Sequence, residues 1–149
     1  MRTIWFDMDG TITNLYAVDN WLPKLRAYDA SPYAEAEVML NMSLLARLLN
    51  RLQMMGYRVG IISWLSRNPT PEYDEAVTEA KLGWLRQHLA SVSWDEIRIV
   101  QHGMPKEWFM QSEADILFDD EEKNRDNWGG DAYEPDMIFK VLKHLLGMR

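Results

Sequence analysis

The stretch Thr3-Ile4-Trp5-Phe6-Asp7-Met8-Asp9-Gly10-Thr11 decides how the rest of the chain is read. An apolar run followed by two carboxylates one residue apart describes a short buried strand with acids at its end. Gly10 and Thr11 then break the strand, because glycine accepts backbone angles that other residues avoid. Side chains alternate along extended chain, so Asp7 and Asp9 share a side if the strand continues. If the chain turns at Gly10, both reach one point beyond the strand end. Two acids this close repel each other, and leaving them unpaired costs stability. A divalent cation is the simplest compensation. It favours hard oxygen ligands, and magnesium in particular uses one or two carboxylates plus substrate phosphate.

Outward from this stretch, strands and helices alternate. Asp19 to Tyr28 reads as a short helix with an Asp or Asn cap and Pro23 in its first turn, and residues 29–33 as a turn. A long helix is expected from about Ala34 to Met55. Val38, Met42, Leu45, Leu49 and Leu52 form its apolar stripe, and Gly56 ends it. Tyr57 to Ser63 is the second strand, and Trp64 to Pro71 the loop after it. A helix from about Glu72 to Ala90 turns Val77, Ala80, Trp84 and Leu85 inward. Ile97–Val100 is a third strand, and a loop through Lys106 leads into a brief helix. Asp115–Asp120 is a fourth strand ending in two acids. Residues 121–128 are helical or turn-like, Gly129-Gly130 breaks the chain, and a closing amphipathic helix runs from Pro135 to Leu146. This alternation predicts an α/β fold, a Rossmann-like three-layer α/β/α sandwich with a mostly parallel sheet. Ligands bind such sheets beyond the carboxyl ends of the strands, and every candidate catalytic residue falls just after a strand or in the loop that follows one.

The 149 residues are expected to form one domain, 1–149, and 47% of them are hydrophobic. No run approaches the roughly 18 apolar residues of a membrane span, so no membrane partner is expected. Neither an apolar signal segment nor an Arg-rich leader opens the sequence. The absence of cysteine excludes disulfides and thiolate metal sites and fits the cytoplasm. A net charge of −7 disfavours a long nucleic acid, whose binding is dominated by phosphate neutralisation, but leaves a small phosphorylated substrate open. A monomer or a homodimer fits this composition.

Asp7-Met8-Asp9-Gly10-Thr11 resembles the first motif of the haloacid-dehalogenase superfamily, most of whose members are aspartate-nucleophile phosphatases. Three later pieces resemble the remaining motifs, in order. The resemblance implies that Asp7 is the nucleophile, forming an aspartyl phosphate, and that Asp9 is the general acid and base. Ser63, with Ser66 as the fallback if the register slips, would hold phosphoryl oxygens. Lys106 would neutralise charge on Asp7 and on the phosphoryl group. Asp119 is then the first choice for a magnesium ligand, beside Asp7 and the backbone carbonyl of Asp9. Asp120 would hold metal-bound water or orient Lys106. Thr11, Trp64 and Arg67 are further substrate-binding candidates, and His102 follows a strand and could approach the site.

Within the superfamily, the helical insert and the Glu79-Ala80-Lys81-Leu82-Gly83-Trp84-Leu85 helix look similar to the 5′(3′)-deoxyribonucleotidase group, although the insert here is much smaller. Residues 15–33 are expected to form a small cap or lid carrying Tyr16, Trp21, Tyr28 and Tyr33, with Trp21 and Tyr28 leaning over the substrate. The expected function is a magnesium-dependent phosphomonoester hydrolase, acting on a small metabolite such as a nucleoside monophosphate. The alternatives are a polynucleotide 3′-phosphatase and a non-catalytic binding or regulatory module on the same fold.

Overall fold

Alternation within the first strand sorts the two faces of the sheet. In β1 (Thr3–Phe6), Ile4 and Phe6 point to one face and Trp5 to the other. The computed structural model describes residues 2–148. Its sheet contains β1, β2 (Arg58–Trp64), β3 (Glu96–Val100), β4 (Ile116–Phe118) and β5 (Asp131–Tyr133), in the order β3-β2-β1-β4-β5. All four pairings are parallel. The fold is therefore Rossmann-like α/β/α, as the alternation of elements predicts.

The Ile4 and Phe6 face packs against α3 (Met42–Met54), the later half of α4 (Pro71–His88) and α6 (Ile138–Leu145). Leu45, Leu49, Leu52, Trp84 and Leu142 are the buried contacts. Each such side chain contributes about 1.5–3 kcal/mol by leaving water. On the opposite face, Trp5, Ile62 and Leu117 pack against Trp128 of α5 (Glu122–Trp128). Gly60 has no side chain for a reason: a Cβ there would lie 2.7 Å from the Trp5 ring. No helix among the described residues is long and apolar enough to cross a membrane.

Two expectations about elements are corrected. The long helix expected over 34–55 begins only at Met42, as α3, because α2 (Ser31–Glu35) already forms within the turn expected over 29–33 and ends at Glu35. Between them the chain runs extended: Val38 bridges Thr13, Asn14 N–H donates to Glu37 O, and Met39 N–H donates to Ile12 O. The indole of Trp84 also draws the Ala36 carbonyl out of helical bonding, at 2.8 Å. Asn41 then caps α3 by accepting from Leu44 N–H, so the stripe begins at Met42, and Val38 is exposed. The second correction is β5, which lies where only a break was expected. A three-residue edge strand is too short to show a period, and its pairing with β4 supplies the hydrogen bonds.

The chain between β1 and β2 also forms a 3₁₀ turn at Leu15–Ala17 and the short helix α1 (Trp21–Arg26). The helix falls within the expected residues 19–28.

Candidate active site

The loop after β1 is wound tightly on itself. Met8 O accepts from the N–H groups of Thr11, Ile12 and Thr13, and Gly10 sits at φ +80°, in the left-handed region. A Cβ on Gly10 would strike the Asp120 carboxylate and the Tyr16 ring. This winding places the two acids of the loop in different company.

Asp7 is buried at the end of β1. Its Oδ2 accepts from Thr11 Oγ1 at 3.0 Å, and its Oδ1 accepts from Lys106 Nζ at 2.9 Å. Lys106 is 2% exposed and also donates to Asp119 Oδ2 at 2.7 Å. Burial works against its charge, but Asp7 and Asp119 outweigh burial and hold its pKa above the usual lysine value. Lys106 Nζ lies 5.2 Å from the centre of the Trp64 ring as well.

Asp119 has little freedom. Its Oδ1 accepts from Glu121 N–H, and its Oδ2 from Lys106 and from Asn124 Nδ2. The residue that orients Lys106 is thus Asp119, where Asp120 was an expected candidate. Asp120 faces Asp7 instead, and burial together with the Asp7 charge pushes its pKa up. One oxygen each from Asp7, Asp119 and Asp120 lies within 4.8 Å of the others. Three carboxylates against a single ammonium leave negative charge uncompensated, a donor set that fits a hard divalent cation.

Asp9 goes elsewhere. Its Oδ2 accepts from Lys81 Nζ at 2.9 Å, and burial raises its pKa although Lys81 opposes the shift. Lys81 is 1% exposed on α4 and also donates to Ser63 Oγ at 2.6 Å and to Trp64 O at 2.7 Å. The sequence reading missed this residue. The signal was present, because Lys81 falls on the same stripe as Val77, Trp84 and Leu85, and a lysine on an inward stripe needs buried partners.

A pocket of about 470 Å³ opens over these groups, with Asp7, Asp9, Lys106, Asp119 and Asp120 on its floor. Trp64, Ser66, Arg67 and His102 contribute to its lining. Arg67 Nε donates to His102 Nε2 at 3.3 Å, and burial with Arg67 depresses the His102 pKa. Tyr16, Trp21, Leu22, Leu25, Arg26 and Tyr33, all from residues 15–33, line it as well. Trp21 meets Tyr16 edge to face, ring centres 5.0 Å apart.

Three expected substrate contacts are not on this lining. Thr11 is fully buried behind Asp7, which it holds. Ser63 is fully buried against Lys81, and Ser66 is the serine on the lining. Tyr28, at φ +59°, is 55% exposed and packs edge to face on Tyr73 of α4, off the pocket lining.

No family model matches the sequence, and no curated protein matches it. Solved structures do share the fold. One is a chain of the Pnkp1/Rnl/Hen1 complex, with a TM-score of 0.60 at 16% identity over 89% of this protein. This protein spans 45% of that chain. Another is D,D-heptose 1,7-bisphosphate phosphatase from Burkholderia thailandensis, with a TM-score of 0.53 at 18% identity, covering 87% of this protein and 75% of that chain. The B. bronchiseptica enzyme, complexed with magnesium and phosphate, matches with a TM-score of 0.50 at 14% identity, over 89% of this protein and 78% of its own chain.

Proposed function

We propose that this protein is a magnesium-dependent phosphomonoester hydrolase that works through an aspartyl phosphate on Asp7. The substrate is a small phosphorylated metabolite, with a nucleoside monophosphate the first choice. One observation carries the reading: Asp7 is held by Lys106 and Thr11, while Asp9 is held by a separate lysine. A module that only binds phosphate has no need of two acids set apart in this way.

In the first step an Asp7 oxygen attacks phosphorus as the bond to the leaving alcohol breaks, and Asp9 gives that alcohol its proton. Water then attacks the aspartyl phosphate, its proton passes to Asp9, and Asp7 departs as a carboxylate with phosphate released. The raised pKa of Asp9 suits a group that must hold a proton before it gives one up. Lys106 lies where charge on Asp7 and the phosphoryl oxygens changes most. Asp7, Asp119 and Asp120, with the backbone carbonyl of Asp9, would hold magnesium. When bound, magnesium supplies positive charge to the phosphoryl oxygens.

Residues 15–33 act in this reading as a small lid within one domain of residues 1–149. Their aromatic rings on the lining offer a flat surface to a base or sugar. A polynucleotide 3′-phosphatase is the second reading, favoured by the shortness of the lid and by Arg26 and Arg67 on the pocket lining. The test is phosphate release from a panel of phosphomonoesters, including a 3′-phosphorylated oligonucleotide, with magnesium and after chelation. Turnover of a mononucleotide or sugar phosphate that chelation stops is the expected result. Full activity in excess chelator, or silence across the panel, would defeat the proposal. Preference for the oligonucleotide would select the second reading.

A further inference from the structure

An ammonium group has three N–H donors and no acceptor. Lys81 spends all three at one place: on Asp9 Oδ2 at 2.9 Å, on Ser63 Oγ at 2.6 Å and on Trp64 O at 2.7 Å. It is 1% exposed and is absent from the pocket lining, whereas Asp9 is on that lining. No other acid pairs with it among the described residues. A lysine reaching from α4 to the ends of β1 and β2 therefore grips the far side of Asp9. The grip occupies Oδ2, and the other oxygen, Oδ1, has only Thr13 Oγ1 as a side-chain partner, at a long 3.4 Å. The ring of Tyr33, from the insert between β1 and β2, lies 4.9 Å from Lys81 Nζ and closes the remaining side.

We infer that Lys81 is a positioning residue for the acid step: it fixes Asp9 so that Oδ1 is the atom that passes the proton to the leaving alcohol. The same contact orients Ser63. Its oxygen accepts from Lys81, so its own hydroxyl hydrogen does not point at that nitrogen. Charge-assisted hydrogen bonds of this length hold geometry well, and proton transfer depends on geometry before anything else. Lys81 itself touches neither the substrate nor the reacting atoms. This inference rests on the phosphatase reading above and concerns only how Asp9 is aimed.

Leaving groups separate an aiming role from a structural one. An alkoxide needs a proton to depart, whereas p-nitrophenolate does not. In Lys81→Met, kcat/KM for a nucleoside 5′-monophosphate should fall about 100-fold, the scale of general-acid catalysis. For p-nitrophenyl phosphate it should fall less than about 5-fold. In the Asp9→Asn background, adding Lys81→Met should cost almost nothing more, because the two residues act as one unit. A crystal structure of Lys81→Met should show the Asp9 carboxylate rotated from its present position. Lys81→Gln, which keeps a polar end, is the second variant, and circular dichroism accompanies both. Equal losses on the two esters, unchanged kinetics, or an unmoved Asp9 would overturn the inference. So would loss of fold in both variants, since Lys81 would then be structural. A wild type inactive on both esters sinks the phosphatase reading instead, whereas an active wild type with an unchanged ester ratio in the variants sinks only this inference.

Discussion

Asp7 and Asp9 stand two residues apart and are held by different lysines, so their substitution should separate two steps of one reaction. Asp7→Asn keeps the shape of the side chain but not its nucleophilicity, while Lys106 retains Asp119 as a partner. Its turnover should drop by roughly 10⁴-fold or more with circular dichroism unchanged. Asp9→Asn leaves the nucleophile in place and removes the group that activates water, with a loss on the order of 10²–10⁴-fold. It should also accumulate the aspartyl phosphate, which mass spectrometry after acid quench would show. A folded Asp7→Asn protein with normal turnover would remove Asp7 from the nucleophile's role. The acids themselves were legible as residues: two carboxylates after an apolar run and before Gly-Thr are local information. Their partners were not. Lys81 lies 72 residues from Asp9, and Lys106 lies 99 residues from Asp7.

Between β1 and β2 the chain supplies aromatic residues to the pocket's lining, and two of its rings make opposite predictions. Trp21 lines the pocket beside Tyr16, so Trp21→Ala should raise KM several-fold for a mononucleotide, since a stacked ring is worth about 1–3 kcal/mol. Tyr28 packs on Tyr73 instead, so Tyr28→Ala should leave KM alone and lower Tm slightly. Steady-state kinetics and thermal melts on the two variants settle the pair. A raised KM in both, or in neither, would contradict this placement of the rings. The short helix itself was readable from Pro23 in its first turn, whereas the expected Asp or Asn cap does not form, Asn20 sitting at φ +58° with no capping hydrogen bond from its side chain. Which face it turned inward was not readable, because six residues make fewer than two turns and carry almost no period. The break between α2 and α3 was hidden for the opposite reason. An extended segment at Val38 happened to continue the stripe of the helix after it, and only its pairing with the loop after β1 shows the break.

Across the whole molecule, the strand ends gather more negative charge than Lys106 can balance, and this should appear in stability. Burial and the neighbouring Asp7 raise the pKa values of both Asp119 and Asp120. A carboxyl with a raised pKa in the folded state binds its proton more tightly there than in the unfolded chain. Stability is then fully present below the ordinary aspartate value of about 4 and is lost as pH rises through the raised values. Metal-free protein should therefore melt at progressively lower temperature from about pH 4 towards pH 8, and saturating magnesium should flatten the decline. Asp120→Asn should reduce the metal-free slope. Melts in chelator across this range check all three, and a Tm that rises with pH would contradict the assignment. The sequence by itself determined the class of fold, four of the five strands, and the placing of Asp7, Asp9, Lys106 and Asp119 at or just after strand ends. Hydrophobic period, glycine breaks and acids at run ends are local properties, and a single chain displays them in order. Only the tertiary structure decided that Lys81 takes Asp9, that Asp119 rather than Asp120 orients Lys106, and that Tyr28 leaves the pocket. Those outcomes depend on the strand order β3-β2-β1-β4-β5, which brings distant residues within hydrogen-bond reach. The choice among charged partners is made by distance in space, which no spacing along the chain records.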